Sequence, residues 1–525
     1  MTDTAVGLDG PVREAAPPVP GGPLGRWVLH PLLVVAYPTL ALWGANVHEV
    51  PVTDATAVLW RTLAVGAVVW LVLAGLYALA RRPNPVARAG LATSIAAVAV
   101  LAVGRVLPEA SATTGLVVTG AVVVAGLVLS LLVSRVVLAR LTLLLNVFSV
   151  VATVLALVAL RPVLVPSRNQ PVLVDFAGAE APARDIWYII PDRYPRAETL
   201  SDEYGFDNSD FESHLEDLGF SIQDQARANY PKTAHSLAAT WNLDTVQDLV
   251  PEPPEDGADY GPLYDLLDDH RLGRFITDSG FDYLHLGSWW GPTAESSVAT
   301  ENRNLSTASE FETVWRTTTA LRWTGAVTEE EGMDSRNFIR AITDYQLDEL
   351  DALVTEPSDR PRFVLAHVTL PHEPYVYDAD GSYVTAEEEQ SRTRVENTVN
   401  QVEYVNQRLT DLVDRLVTGD PADDPIIVIQ SDEGPHPEEQ YAAAGGINWL
   451  DVDTEVRAEK LRTFSAWYLP GLDDEVPADI TGVNTWRFIL DRYFGTDLGL
   501  VDDRVWVFTD EQHLYDFTEV TDEFD

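Results

Sequence analysis

The sequence predicts an α-helical transmembrane bundle followed by an α/β domain, with a central, mostly parallel sheet between helices. Three observations carry this expectation. Five apolar stretches, each about 19–24 residues, follow one another in the first third, and each is long enough to cross ~30 Å of hydrocarbon as a helix. After residue 170 the pattern changes to short apolar runs separated by helix-period segments. Charge divides at the same place: residues 1–170 carry 6 acidic side chains and 11 arginines, and the remaining 74 acids and 24 basic groups lie beyond.

The stretches are Trp27–Ala45, Ala57–Ala80, Ala89–Leu107, Gly115–Ser134 and Leu141–Leu160. The first begins too late, and too many follow it, for a cleaved signal peptide. Arg13 and Arg26 precede the first; Arg81, Arg82 and Arg88 lie between the second and third; Arg135 and Arg140 lie between the fourth and fifth. The intervening loops hold Glu49, Asp54 and Glu109. By the positive-inside rule the tail 1–26 is cytoplasmic, and five spans within 27–165 leave residues 170–525 outside the cell. Asn146, Pro31 and Pro38, inside the spans, read as helix-packing residues.

In the second part, Ile186–Pro191, Phe281–Gly287, Phe363–Thr369, Ile426–Ser431 and Phe464–Leu469 read as strands buried on both faces, because each is continuous, short and bounded by polar or turn residues. Asp210–Leu218, Pro262–Leu272, Asn337–Val354 and Arg392–Leu416 have helical periodicity. Segments 251–260 and 420–425 are acidic, proline-rich loops, and no internal repeat or glycine-rich phosphate loop is present. The net charge of −45 argues against a nucleic-acid partner. Of 35 lysines and arginines only two, Lys232 and Lys460, are lysine, which with the acidity suggests a halophilic host. The absence of cysteine excludes disulfides, thiolate metal sites and a cysteine nucleophile.

Ligands of open α/β sheets gather at the carboxyl ends of strands. Asp192 follows the first run, His367 and His372 come with the third (HVTLPHEPY), and Asp432 and Glu433 follow the fourth (QSDEG). Carboxylates aimed at one rim from separate strands repel unless a cation lies between them, and a divalent metal is the simplest resolution; solvated loop acids are the plainer one. In NYPKTAHSLAATWN, residues 229–242, Thr233 stands at the start of a helical segment. It reads either as an N-cap or as a hydroxyl at a helix N-terminus, where free N–H groups receive an anionic ester. Lys232 beside it adds a compact positive charge that can neutralise such an ester.

These motifs in this order, with LRTFSAWYLPG and VNTWR after them, resemble the sulfatase-like branch of the alkaline phosphatase superfamily, close to its membrane-anchored lipoteichoic-acid-synthase-like and phosphoethanolamine-transferase-like members. The resemblance runs across most of residues 185–500 and implies an alkaline-phosphatase-like domain. It implies Thr233 as a metal-activated nucleophile, Asp192 and Asp432 as metal ligands, and His372 as the histidine facing the substrate head group or leaving group. Lys232 matches no assigned family position.

One departure stands out: the family's Ser-Asp-His-Gly is SDEG here, with Glu433 in place of histidine. Either Glu433 ligates, giving an all-oxygen set of Asp192, Thr233, Asp432 and Glu433 that suits manganese, magnesium or calcium better than zinc, or the site is impaired, with His436 moving in or no metal bound. His367 reads as a core or supporting residue, His235 as a packing residue, and His285 as undecided. Trp289 and Trp290 are either buried or a platform for a sugar ring. The implied protein is a membrane-anchored, metal-dependent hydrolase or transferase acting on phosphate or sulfate esters of cell-surface glycans or lipids. Its expected partners are membrane lipids and an anionic glycan or lipid-linked ester. The alternative is a catalytically silent surface protein that binds glycans with the same fold.

Overall fold

The computed structural model describes residues 27–47, 50, 52–107, 110–161, 181–254, 257–305, 310–324, 335–442, 446–472 and 474–524. The tail 1–26 lies outside them. Two compact units result.

The first unit contains helices α1 (His30–Ala45), α2 (Val52–Leu79), α3 (Pro85–Val106), α4 (Ala112–Leu132) and α5 (Arg135–Ala159). Helices α2 to α5 are long and apolar enough to cross a membrane; α1, on the first expected span, is an apolar helix of 16 residues. It starts at His30 rather than Trp27 because Asn146 reaches over from α5. Its Oδ1 accepts from the N–H groups of Leu29 (3.0 Å) and His30 (2.9 Å), and its Nδ2 donates to the Trp27 carbonyl at 2.7 Å. A buried asparagine thus satisfies backbone groups that hydrocarbon would leave bare. Small residues let the helices approach: a Cβ on Gly126 would meet Ile95 at 2.6 Å, and one on Gly66 would meet Val35 at 2.8 Å. A segment from far along the chain completes this unit. Trp315 Nε1 donates to Thr39 Oγ1 at 3.0 Å, and Trp323 Nε1 donates to the Ala110 carbonyl at 3.1 Å.

The second unit is a mixed, mostly parallel sheet between helices. Its strands are β1 (Ile186–Pro191), β2 (Ser221–Ile222), β3 (Asp282–Leu286), β4 (Glu301–Arg303), β5 (Arg362–Val368), β6 (Ile426–Gln430) and β7 (Ser465–Tyr468), in the order β2-β7-β6-β1-β5-β3-β4. Strands β6, β1, β5, β3 and β4 run parallel, and β7 turns back antiparallel on β6. In β1, Ile186, Tyr188 and Ile190 enter one core while Trp187 and Ile189 enter the other. A strand covered on both faces needs apolar residues at every position, which is why the five runs were readable in sequence.

Helix α6 (Ser209–Asp217) and helix α7 (Thr233–Asn242) follow β1. The expected helix Pro262–Leu272 is two helices, α8 (Gly261–Asp268) and α9 (Arg271–Asp278). The break falls at His270, whose Nδ1 accepts from the Gly273 N–H at 3.0 Å and caps the second helix. Helices α10 (Ser335–Leu353) and α11 (Arg394–Leu416) cover one face, where α11 opens with a capping box on Thr393 and Glu396. Helices α12 (Thr454–Leu461) and α13 (Gly482–Tyr493) come later, and a small ribbon of β8 (Trp506–Phe508) and β9 (Phe517–Glu519) closes the chain.

Among the fully buried histidines of this unit, His235 stacks on Phe508, while His270 and His285 both bond the Tyr283 hydroxyl. Burial pushes His235 and His270 down to about 3 and His285 down to about 4. Their folded pKa values lie below the unfolded value near 6.5, so the unfolded chain binds more protons between those limits. The stability they allow is complete above about pH 6.5 and is lost as pH falls toward 3, on the order of 2 kcal/mol per histidine by pH 5. Unfolding followed by tryptophan fluorescence at pH 7 and pH 5 should show a lower midpoint at pH 5, and His270→Gln should reduce the difference.

Candidate active site

Strand order creates the site. Strand β1 lies between β5 and β6, so the carboxyl ends of all three open onto one rim. Ile190 pairs in register with His367, and the Asp192 N–H donates to the Val368 carbonyl at 2.9 Å, which sets Asp192 directly beyond β1. Arg193 follows in the left-handed region (φ 64°), turning the chain so that its N–H points at Asp432 Oδ1 (3.4 Å). Just beyond β6, Ser431 Oγ accepts from the Tyr194 N–H at 2.9 Å and donates to the Glu433 carbonyl at 2.7 Å, tying the two strand ends together.

Helix α7 brings Thr233 to this rim. Lys232, extended at φ −142°, is the N-cap and makes no side-chain capping bond, so Thr233 is the first helical residue and its hydroxyl is not spent on capping. The lead-in is clamped by Asn229, whose Nδ2 donates to Thr481 Oγ1 (2.9 Å) and whose Oδ1 accepts from the Val483 N–H (2.9 Å). This is the structural task of the VNTWR segment. A Cβ on Gly482 would meet Thr240 Oγ1 at 2.4 Å, so α7 and α13 can be this close only at glycine.

Asp192, His367 and Asp432 each offer a ligand atom within 4.8 Å of the others, and all three are buried. His367 was read from sequence as a core or supporting residue, but its Nδ1 bonds Thr293 Oγ1 at 2.9 Å, which turns Nε2 toward Asp192 Oδ2, 3.5 Å away. Among the described residues, Asp192 Oδ1, Asp432 Oδ2 and His367 Nε2 find no hydrogen-bond partner. Buried polar atoms are rarely left so, and three around one point form a donor set for a divalent cation. The electrostatics agree. Burial opposes the charge on Asp192, but His372, His367 and Arg193 outweigh it and hold the carboxyl well below the usual range. Burial, then Asp192 and Glu433, push Asp432 well above that range, although Thr233 is close enough to favour its charged form. Two carboxylates at one point cannot both ionise without a cation.

A cleft opens beside this group, lined by Asp192, Lys232, Thr233, His372 and Glu433. His372 Nδ1 faces the Glu373 carbonyl, which only accepts, so Nδ1 carries the hydrogen and Nε2 the lone pair. Burial, then Arg193, lowers the His372 pKa. Lys232 pairs with Glu511 at 2.5 Å, and both line the cleft. Trp289 meets the edge of His372, while Trp290 packs against Tyr264, which stacks with Tyr260. Both tryptophans reach the cleft wall.

Glu433 does not join the three-residue group among the described residues. It is buried, and its Oε1 receives Lys460 Nζ at 2.7 Å and Arg193 Nε at 3.2 Å. His436, the other candidate for the missing histidine, bonds Glu373 Oε1 at 2.9 Å and Gln440 at 3.0 Å. Lys460, Arg193 and Glu373 were not singled out in sequence. Only the rarity of lysine pointed at Lys460.

The SDEG glycine has a steric reason. Gly434 N–H donates to the Lys460 carbonyl at 2.7 Å, and a Cβ at this position would meet the Glu459 carbonyl oxygen at 2.3 Å. Gly434→Ala should destabilise the domain by about 1–3 kcal/mol, the usual cost of forcing atoms into a packed site. A thermal-shift measurement would show it, and metal binding should weaken with it because Asp432 and Glu433 must move.

Among solved structures, the C-terminal periplasmic domain of phosphoethanolamine transferase EptC from Campylobacter jejuni is 11% identical, over 62% of this chain and 93% of that chain, with a TM-score of 0.39. The corresponding EptC domain from Escherichia coli, in complex with Zn, is 11% identical over 66% of this chain and 96% of its own, with a TM-score of 0.39. The integral membrane lipooligosaccharide phosphoethanolamine transferase EptA from Neisseria meningitidis is 15% identical over 85% of this chain and 88% of its own, with a TM-score of 0.37. No curated protein matches the chain in sequence. Residues 225–463, which hold Thr233, His367, His372, Asp432 and Glu433, match the Sulfatase family model.

Proposed function

We infer that the protein is a membrane-anchored, metal-dependent hydrolase or transferase that acts on phosphate or sulfate esters of cell-surface glycans or lipids, with Thr233 as nucleophile. The observation that carries this reading is the convergence of unpartnered Asp192 Oδ1, Asp432 Oδ2 and His367 Nε2 beside Thr233, at a helix N-terminus. We place five spans across the membrane, the N-terminus in the cytoplasm and the α/β domain outside. A surface this acidic suits concentrated salt, where screening shortens to about 3 Å near 1 M and an anionic substrate is not repelled.

Asp192, Asp432 and His367 would hold the cation, and a nitrogen in this set moves the preference toward zinc from the manganese, magnesium or calcium of the all-oxygen set expected from sequence. Such a cation supplies Lewis acidity that lowers the pKa of the Thr233 hydroxyl. Thr233 gives its proton to solvent, and its oxygen bonds to phosphorus or sulfur. The bridging ester oxygen leaves with the electrons of the broken bond and takes a proton. Lys232 and the free N–H groups of α7 bear the charge on the equatorial oxygens. Lys232 must exchange Glu511 for the substrate. Glu511 is 42% exposed, and such a pair contributes only about 0–1 kcal/mol, so the exchange is cheap. In the second half, the oxygen of water or an acceptor hydroxyl bonds to phosphorus or sulfur and the bond to Thr233 Oγ breaks, the threonine oxygen taking a proton from solvent. The attacking group gives its own proton to His372 Nε2. This fits the tautomer of His372 better than protonating the first leaving group.

The full chain in detergent should contain one divalent ion and turn over aryl phosphates, phosphodiesters or sulfate esters in high salt. Thr233→Ala should cut turnover at least 10³-fold with the metal retained, whereas Asp192→Asn should lose the metal. Glu433 in place of the family histidine favours one other reading, a silent glycan-binding protein. A folded protein with no metal and no turnover would establish that reading.

The rate should also fall on the acid side. His372 must be neutral to accept a proton, and its pKa lies below 6.5, so activity holds at neutral pH and drops as pH passes down through that lowered value. A pH–rate profile would show this limb, and His372→Ala should remove it along with most of the rate.

A further inference from the structure

We propose that Lys460 is a positioning residue which, with Arg193, keeps Glu433 out of the metal set and holds it as a strut behind Asp432, leaving Asp192, Asp432 and His367 to bind the cation. This rests on the metal-site reading given above and deepens it.

The charges divide into two self-consistent groups. Arg193 pairs with Glu373 at 2.5 Å and with Glu433 at 3.2 Å, and Lys460 pairs with Glu433 at 2.7 Å. Two cations and two carboxylates cancel within this quartet. Among the described residues Asp192 and Asp432 make no ion pair with lysine or arginine, so ionising both calls for the charge a divalent cation supplies. Counting Glu433 as a ligand through Oε2 would draw its charge toward the cation and weaken its pairing with the buried Lys460 on Oε1, and a poorly compensated buried charge is costly.

Lys460 is built for this task. It is wholly buried, its Nζ donates to the Gly434 carbonyl at 2.8 Å, and its own carbonyl accepts from the Gly434 N–H at 2.7 Å. The end of α12 is thus laced in both directions to the loop that carries Asp432 and Glu433. In a chain that uses arginine for nearly every cation, this position keeps a lysine. A compact ammonium satisfies two acceptors within a space that a planar guanidinium would overfill. Among the described residues Glu433 Oε2 has no hydrogen-bond partner. It is the atom that would ligate if Glu433 belonged to the set, so the two arrangements are separable.

The test is calorimetric titration of the full-length protein in detergent with manganese and with zinc. Glu433→Gln should keep one site with affinity within about threefold of the parent, while His367→Ala should weaken it at least 100-fold. Lys460→Met should raise affinity about tenfold, because it frees Glu433 beside the site, and adding Glu433→Gln should reverse the gain. A merely structural lysine would produce only a loss. If Glu433→Gln weakens binding 30-fold or more and His367→Ala does not, Glu433 is the ligand and the proposal is overturned. If the parent binds neither metal, the metal reading fails, and the strut is then judged by thermal unfolding. A double variant Glu433→Gln/Lys460→Met that recovers at least half of the midpoint lost by either single variant supports it; losses that simply add overturn it.

Discussion

Two aspartates stand at the ends of neighbouring strands, buried and close enough to oppose each other's charge. Most of the rim makes sense as an answer to that repulsion. Histidine nitrogen from β5 faces Asp192, the backbone of Arg193 leans on Asp432, and the positive end of α7 arrives from the side with Thr233 on it. The same low-polarity setting that makes two carboxylates costly would make a cation between them strongly bound. A site of this kind is assembled around an absence of balance, and the protein maintains it because the sheet beneath is rigid.

That rigidity comes from strands covered on both sides. β1, β5 and β6 contribute buried residues at every position, so their ends cannot slide without moving one of two cores. Long-range clamps fix the rest. Asn229 locks the approach to α7 against α13, and Gly434 locks the β6 loop against α12. Each clamp uses a glycine or a short polar side chain, since backbones must come within hydrogen-bonding distance.

The two lysines mark different environments of one site. Lys232 is at the cleft mouth, paired with a carboxylate that solvent reaches, and can trade partners at little cost. Lys460 is fully enclosed, and its pairing with Glu433 belongs to the fold as much as to the chemistry. Burial lowers its pKa to about 8 while Glu433 opposes the shift.

The sequence by itself determined the division into an apolar helical part and an acidic α/β part, the five main strands, and the polar residues that follow them. All of these are local signals, carried by apolar run length, periodicity and the residue at a strand's end. The strand order, with β1 between β5 and β6, came only from tertiary structure. That order turns His367 from an apparent core residue into a neighbour of Asp192. The pairing of Glu433 with Lys460 was equally hidden, because an ion pair between a strand end and a distant helix leaves no periodic trace. The break at His270 and the short antiparallel elements were decided by a single cap and by edge pairing, both too brief to produce a pattern. Local patterning specifies which elements form, whereas packing across long sequence separations specifies which polar atoms meet, and the chemistry lies in the second.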